Sequence, residues 1–288
     1  MKIPVIALFI IFYACSCVIP ESNHVEPQYH LLTKTLSDEN QTLAMPSVSF
    51  HVREVSVPPY LDDNRLVNRP GNSSIKYLEN HRWGEPLGEG ISRVVGLNLS
   101  SILNTLDYSS YPQRLKAGCH YEVAVSVQRF EKAENEQVKL SAIIEIFHRN
   151  RIVRQVQFYK SISIKGRNIS DEIDALTFAL SSASFQIAKT IYSLPMSLAL
   201  RIDAGEVIWE DSTLVQVTKL LNEILANHSK QENTIKISMG NNLTNHQLPL
   251  ISLHSQNKSL YEVINQVRDH LGITVDYTPS GIIFSSLQ

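Results

Sequence analysis

Two stretches of this chain alternate so strictly between apolar and polar side chains that their conformation is nearly fixed. Tyr121, Val123, Val125 and Val127 interleave with Glu122, Ala124, Ser126 and Gln128. Val138, Leu140, Ala142, Ile144 and Ile146 interleave with Lys139, Ser141, Ile143 and Glu145. A period of two is the period of a pleated strand, so each run turns one face to a core and the other to solvent. With the polar segment Glu131 to Glu136 as the connection, the pair reads as an antiparallel hairpin. Arg154 to Ser163 supplies a third strand, with Val156 and Phe158 on one face. Upstream, Tyr29-His30-Leu31-Leu32 opens a first strand, and Val48, Phe50 and Val52 alternate through a second before Pro58-Pro59 stops it.

A sheet with one apolar face needs a second layer. Leu87, Ile91, Val94, Val95, Ile102, Leu103 and Leu106 form one helical stripe that begins after Pro86, a residue suited to a first turn. Ile173, Leu176, Leu180, Ala183, Ile187 and Ile191 form a second. Ser170 is its expected N-cap, Asp171 and Glu172 lie in the first turn, and Pro195 is its expected end. The expected fold class is α+β: an antiparallel-rich sheet packed on one side by two helices, over residues 29–200.

After residue 200 the pattern restarts. Val207-Ile208-Trp209 reads as a strand, Ser212 as the cap of a helix carrying Leu214, Val217, Leu220, Leu221, Ile224 and Leu225, and Ile235-Lys236-Ile237 and Leu248 to Leu253 as strands. Ser259 caps Leu260 to Leu271, Gly272 closes that helix, and Val275-Asp276-Tyr277 pairs with Ile282-Ile283-Phe284 across Pro279-Ser280-Gly281. Residues 201–288 are therefore expected to form a smaller β-α-β-β-α-β-β domain, long enough to fold alone.

The N-terminus is of another kind. Met1-Lys2 is followed by an apolar run to Tyr13 and then Ala14-Cys15-Ser16-Cys17. The run is shorter than the roughly 20 residues a membrane helix needs, and it is built like a secretory leader. Residues 1–17 are expected to be a signal peptide with a lipobox, lipidated at Cys15, with Cys17 as the alternative and an ordinary signal peptide as the plain reading. Residues 18–28 would be a tether. Diacylation adds about 0.8 kcal/mol per buried methylene, so such a protein is anchored to a membrane without spanning it. Ser16 rather than Asp after the lipidated cysteine points to the outer membrane, facing the periplasm. Seven Asn-x-Ser/Thr triplets, at Asn40, Asn72, Asn98, Asn168, Asn227, Asn242 and Asn257, leave a secreted eukaryotic glycoprotein as a further reading.

Composition narrows the chemistry. Of 288 residues, 26 are Lys or Arg and 28 Asp or Glu, a formal charge of −2, which gives no general attraction for nucleic acid. With two of its three cysteines in the leader, Cys119 stands alone, so neither a disulfide nor a zinc site is expected. Cys119-His120 reads as a partly buried thiol beside a surface imidazole. Asp62-Asp63 reads as a turn rather than a catalytic carboxylate pair. There is no nucleophile elbow, phosphate loop or His-Glu-x-x-His, and neither catalysis nor a cofactor is expected.

The segment that departs from generic composition runs Pro58-Pro59-Tyr60-Leu61-Asp62, then Leu66-Val67-Asn68-Arg69, Ile75-Lys76-Tyr77 and His81-Arg82-Trp83-Gly84-Glu85-Pro86-Leu87, with Arg129-Phe130 after the first strand of the hairpin. This order resembles the ABC-type transport auxiliary lipoprotein components, the PqiC/YmbA-like family, over residues 28 to 195. The turn departs from the family, reading Asp62-Asp63-Asn64-Arg65 where Asp-Arg-Pro-Gln is usual. The resemblance implies a non-catalytic accessory of an ABC permease and ATPase complex with an MCE-type subunit, moving lipid between membranes, and self-association into a homo-oligomer is compatible with it. Tyr60, Leu61, Asp62, Arg82, Trp83, Glu85 and Pro86 would be motif residues with an architectural role. Read without the family, Trp83 is a core anchor and Arg82 is placed to stack or to pair with Glu85. Residues 201–288 resemble the short N-terminal domain of secretins and TonB-dependent receptors, which implies the competing function of a periplasmic adaptor.

Overall fold

The alternating runs become the centre of an eight-stranded sheet in the computed structural model, which describes residues 25–35, 42–115, 118–228, 235–240, 242–243, 248–278 and 280–286. The leader, Cys15, Cys17 and all but the last few residues of the tether lie outside the described residues, as do Asn40 and Pro279. Among the described residues no helix is long and apolar enough to cross a membrane.

The sheet contains β1 (Gln28–His30), β2 (Phe50–Val52), β3 (Arg65–Asn68), β4 (Lys76–Trp83), β5 (Tyr108–Ser110), β6 (Tyr121–Ala133), β7 (Gln137–His148) and β8 (Arg151–Ser163). β6 is the trunk. One side of it pairs with β7, antiparallel from Glu122↔Phe147 to Ala133↔Gln137, and β7 pairs with β8. Its other side is shared: the N-terminal half takes β2 and then β5 in parallel, and the C-terminal end takes β3, followed by β4 and β1. The expected connection Glu131 to Glu136 is shorter in fact, because β6 continues to Ala133.

Two helices cover one face, as the α+β reading requires. They are α1 (Leu87–Leu103) and α2 (Ile169–Tyr192), which pack on each other while α2 crosses β7 and β8. Ile91, Val94, Leu99, Leu180, Ile187 and Ile191 are buried against Val123, Val138, Leu140 and Ile144. Each such side chain, fully buried, contributes about 1.5–3 kcal/mol. The α1 stripe stops at Leu103: Asn104 takes a left-handed conformation at the C-cap and Leu106, expected inside the stripe, is 91% exposed. At α2 the cap is Asn168 rather than Ser170, in a reciprocal box with Asp171. Pro195 does not end α2. It opens α3 (Pro195–Arg201) as its first residue, where a missing N–H costs nothing.

The remaining elements are β9 (Val207–Ser212), α4 (Leu214–His228), β10 (Lys236–Met239), β11 (Ile251–Ser255), α5 (Leu260–Leu271), β12 (Thr274–Thr278) and β13 (Gly281–Ser285). Their order is β-α-β-β-α-β-β, and they form a three-stranded sheet β10-β13-β12 and a pair β11-β9. The side chain of Thr213, not Ser212, makes the hydrogen bonds at the start of α4, with Gln216. Ser259 caps α5 in a full box with Glu262, and Gly272 closes it in the left-handed conformation.

Candidate functional site

The motif segments converge on one carboxylate. After Val127 the apolar parity of β6 changes, because a bulge inserts Gln128 and pairing resumes at Arg129↔Ser141. Phe130 then faces the helix side with Leu140, and Glu131 faces the open side of the sheet with Lys139. The segment from Pro58 to Leu61 folds over that side. Leu61 N–H donates to the Pro58 carbonyl at 2.9 Å, Leu61 is buried, and the Tyr60 ring lies above the end of β6.

Glu131 has no side-chain exposure and is surrounded by donors. Tyr60 Oη donates to Oε2 at 2.9 Å, the backbone N–H of Phe130 donates to Oε2 at 2.9 Å, Arg129 Nε donates to Oε1 at 2.7 Å and Arg69 Nε to Oε1 at 3.1 Å. The Arg69 guanidinium also sits 5.0 Å from the centre of the Tyr60 ring. Four donors occupy the lone pairs of one carboxylate, and two cations compensate its burial. Burial, followed by the Glu131 charge, raises the pKa of Tyr60, which keeps its proton for the bond. A carboxylate held in this way has no lone pair to accept a proton from a substrate.

The remaining motif residues brace the same corner. Trp83 is buried and stacks on Phe130 with ring centres 6.5 Å apart, and its backbone N–H donates to the Asn64 carbonyl at 2.6 Å. Glu85 pairs with Arg93, which also donates to the Leu32 carbonyl at 2.9 Å. The expected Arg82–Glu85 pair is not formed. Glu85 turns toward the first turns of α1, where a Cβ at Gly90 would lie 2.9 Å from Glu85 Oε1, and Arg82 Nε is buried without a partner. Pro86 is the N-cap, and its carbonyl accepts from Gly90 N–H at 3.0 Å. Asp62 is exposed. Asp63 holds the Arg65 backbone and guanidinium, at 2.8 Å and 2.9 Å, and these bonds lower its pKa to about 2, so the acid pair is a turn.

Glu131 was not among the expected residues, and Arg69 lay within the motif stretch without an expected role. The signal for Glu131 is the parity change between Val127 and Phe130, which places an acid inside what otherwise reads as a polar loop.

A second cluster lies where the C-terminal elements meet the large sheet. Tyr121 Oη and Ser197 Oγ are 2.8 Å apart and His148 Nδ1 lies 2.8 Å from the His120 carbonyl. The ring of His148 meets Tyr277 edge-on at 5.8 Å, and His120 meets Tyr261 at 5.4 Å. Arg149 donates to the Val275 carbonyl at 3.4 Å and Arg151 lies 3.5 Å from Asp276. His148 Nε2 and Tyr277 Oη are buried without partners. His120 is not the surface imidazole expected from sequence: it is half-buried and bonded to Ser49. Burial, then Glu122, pushes the Cys119 thiol up to about 11, far from a reactive thiolate. Clefts of 470 and 530 Å³ flank this junction, the first beside His120 and Tyr261, the second beside Arg149 and Asp276.

Comparison with known proteins follows the same division. Among curated proteins none matches this chain. Two of the solved structures that match part of the chain are crystal structures. One is of an uncharacterized protein, 20% identical, covering 58% of this chain and 99% of its own, with a TM-score of 0.49. The other is of a protein from Xanthomonas campestris, 14% identical, covering 56% and 92%, with a TM-score of 0.48. The model of one family matches residues 29–191, the sheet and helices that hold the Glu131 corner. The chain belongs to the ABC-type transport auxiliary lipoprotein component family.

Proposed function

We propose that this protein is a non-catalytic envelope lipoprotein, anchored through Cys15 and facing the periplasm from the outer membrane, that serves an ABC transport complex with an MCE-type subunit in moving lipid between membranes. The observation that carries the reading is the family match over residues 29–191, preceded by a leader whose Ala14-Cys15 suits acylation. The Glu131 corner supports it, because the residues on which the resemblance rests are engaged in packing and hydrogen bonds within the fold. Tyr60, Leu61, Trp83, Glu85 and Pro86 serve architecture in this reading. A glycoprotein reading is weakened at Asn98, which is fully buried in α1. Replacing Cys15 with Ala should release the protein from membranes. Continued attachment with no acyl mass at the N-terminus would refute the anchor. Co-purification of the acylated protein with the MCE subunit tests the transport role.

The β-α-β-β-α-β-β order after residue 200, outside the family match, supports a second reading, an adaptor for a secretin or TonB-linked complex with residues 201–288 as the docking domain. Deleting 201–288 separates the two. Lost assembly with lipid traffic intact favours the adaptor, and lost traffic favours transport.

A further inference from the structure

The chain as a whole carries a formal charge of −2, yet residues 149–167 hold Arg149, Arg151, Arg154, Lys160, Lys165 and Arg167 and no carboxylate. Thirteen of these nineteen positions are β8, which among the described residues pairs with β7 alone; Arg151, Ile152 and Val153 line a cleft with Asp276 and Tyr277 of the C-terminal elements, and from Arg154 to Ser163 the outer side is a sheet edge without a described partner strand. At about 3.3 Å per residue that edge is roughly 30 Å long, with every second residue directing its N–H and C=O outward. Register with His148, Ile146 and Leu140 sets Arg151, Arg154 and Lys160 on the helix side, with half-buried Val156 and Phe158 between them. On the open side, Ile152 and Tyr159 are 53% and 60% exposed. Arg151 reaches Asp276 only at 3.5 Å and is 80% exposed, and Arg154, Lys160, Lys165 and Arg167 have no ion pair with a described residue.

Basic residues on an edge strand prevent self-pairing. A second copy laid antiparallel on β8 would set arginine and lysine against arginine and lysine, and like charges directly opposite are destabilising. The same charges select an acidic partner. We propose that β8 is a docking edge for an extended acidic segment of another protein, which adds a strand to the sheet, meets the cations with carboxylates and places apolar side chains beside Val156 and Phe158. A strand satisfies the unpaired backbone groups, which an anionic lipid surface would leave unsatisfied. The inference does not depend on which transport complex the chain serves.

The test uses the full chain and a peptide of about ten residues built around Glu-Thr-Val-Thr-Val-Thr-Glu, whose one face presents Glu, Val, Val and Glu opposite Arg154, Val156, Phe158 and Lys160. Binding at low salt is expected, with slowed hydrogen exchange at alternate β8 amides. Arg154→Glu combined with Lys160→Glu should weaken it by at least ~10-fold, and the milder Arg154→Gln with Lys160→Gln by less, with circular dichroism confirming both folds. A peptide of the same sequence N-methylated at alternate amides should not bind. Equal binding of the methylated peptide, binding without protection of β8, no binding at about 1 mM peptide, or preferential capture by phosphatidylglycerol vesicles would each overturn the proposal.

Discussion

The two polar clusters in this protein solve opposite problems. At the Glu131 corner a fully buried charge has four donors, two of them guanidiniums, and no lone pair is left over. At the junction with the C-terminal elements, neutral rings meet edge-on and two buried polar atoms, His148 Nε2 and Tyr277 Oη, are left without partners. The first arrangement is costly to disturb because four donors converge on one carboxylate. The second is held by ring and apolar packing, with no buried charge at its centre. The contrast leads to the expectation that the family-matched sheet keeps one shape while the attachment of residues 201–288 is more readily adjusted.

The sharpest way to break the comparison is to remove the carboxylate. Glu131→Ala leaves Arg69 Nε and Arg129 Nε without their carboxylate and the Tyr60 hydroxyl with only the Gln128 carbonyl at 3.2 Å, and losing one partner of a buried ion pair costs about 3–5 kcal/mol. Urea denaturation of the full chain measures it. Glu131→Gln retains acceptors for Tyr60 and the Phe130 N–H and should cost less, about 1–3 kcal/mol. A loss under 1 kcal/mol for the alanine variant would mean that the corner is not the keystone described.

pH separates the regions by sign. Burial raises the pKa of Glu172, in the first turn of α2, to about 7, with Lys132 opposing and Glu136 adding to the shift. Its neighbour Asn68, with its amide turned to donate, reaches Oε1 at 2.9 Å. Between the ordinary value of 4.5 and 7 the folded state binds more protons than the unfolded, so stability falls as pH rises through that window. The expected loss from pH 5 to 8 is of order 2 kcal/mol, and Glu172→Gln should abolish it. The junction behaves inversely. Burial lowers the pKa of both His120 and His148 below 6.5. Docking of the C-terminal elements should be complete above pH 6.5 and weaken as pH falls through the lowered values. The groups facing these rings are His148, Asp107 and Tyr261 at His120, and Arg149, Asp276, Tyr121 and Tyr277 at His148. Protection of α5 and β12 amides relative to their intrinsic exchange rates should fall between pH 7 and 5 while that of β6 and β7 does not. A parallel loss of protection in both regions would remove the distinction.

How far these differences could be read in advance depends on where the side chains point. The β6–β7 hairpin and the Ser259 cap declare themselves through local rules, strict alternation and a reciprocal hydrogen-bond box. β3 and β4 do not, because Lys76–Trp83 has mixed exposure and alternates poorly, and its pairing is set by the neighbours Arg65–Asn68 and Gln28–His30. Pro195 is ambiguous by chemistry, since a fixed φ and a missing N–H suit a helix stop and a helix start equally. The motif residues Tyr60 and Trp83 are visible in sequence, but Glu131, the acceptor of the Tyr60 hydroxyl, is visible only through a bulge, and a bulge is a property of two paired strands rather than of one.

The smallest expected effect is also the most discriminating. Tyr60→Phe and Tyr277→Phe each remove one hydroxyl and leave the ring. At Tyr60 the lost group donates to Glu131 and reaches the Gln128 carbonyl at 3.2 Å, so a buried carboxylate is left short of a donor and the cost should be about 1–2 kcal/mol. At Tyr277 the lost group has no partner, and removing a buried hydroxyl that makes no hydrogen bond also removes its desolvation penalty. Tyr277→Phe should therefore be neutral within about 0.5 kcal/mol or stabilising, with docking of the C-terminal elements preserved in hydrogen exchange. Equal losses at the two positions would mean that the hydroxyl of Tyr277 holds the junction as firmly as that of Tyr60 holds the corner, and the contrast between a rigid sheet and an adjustable attachment would fail.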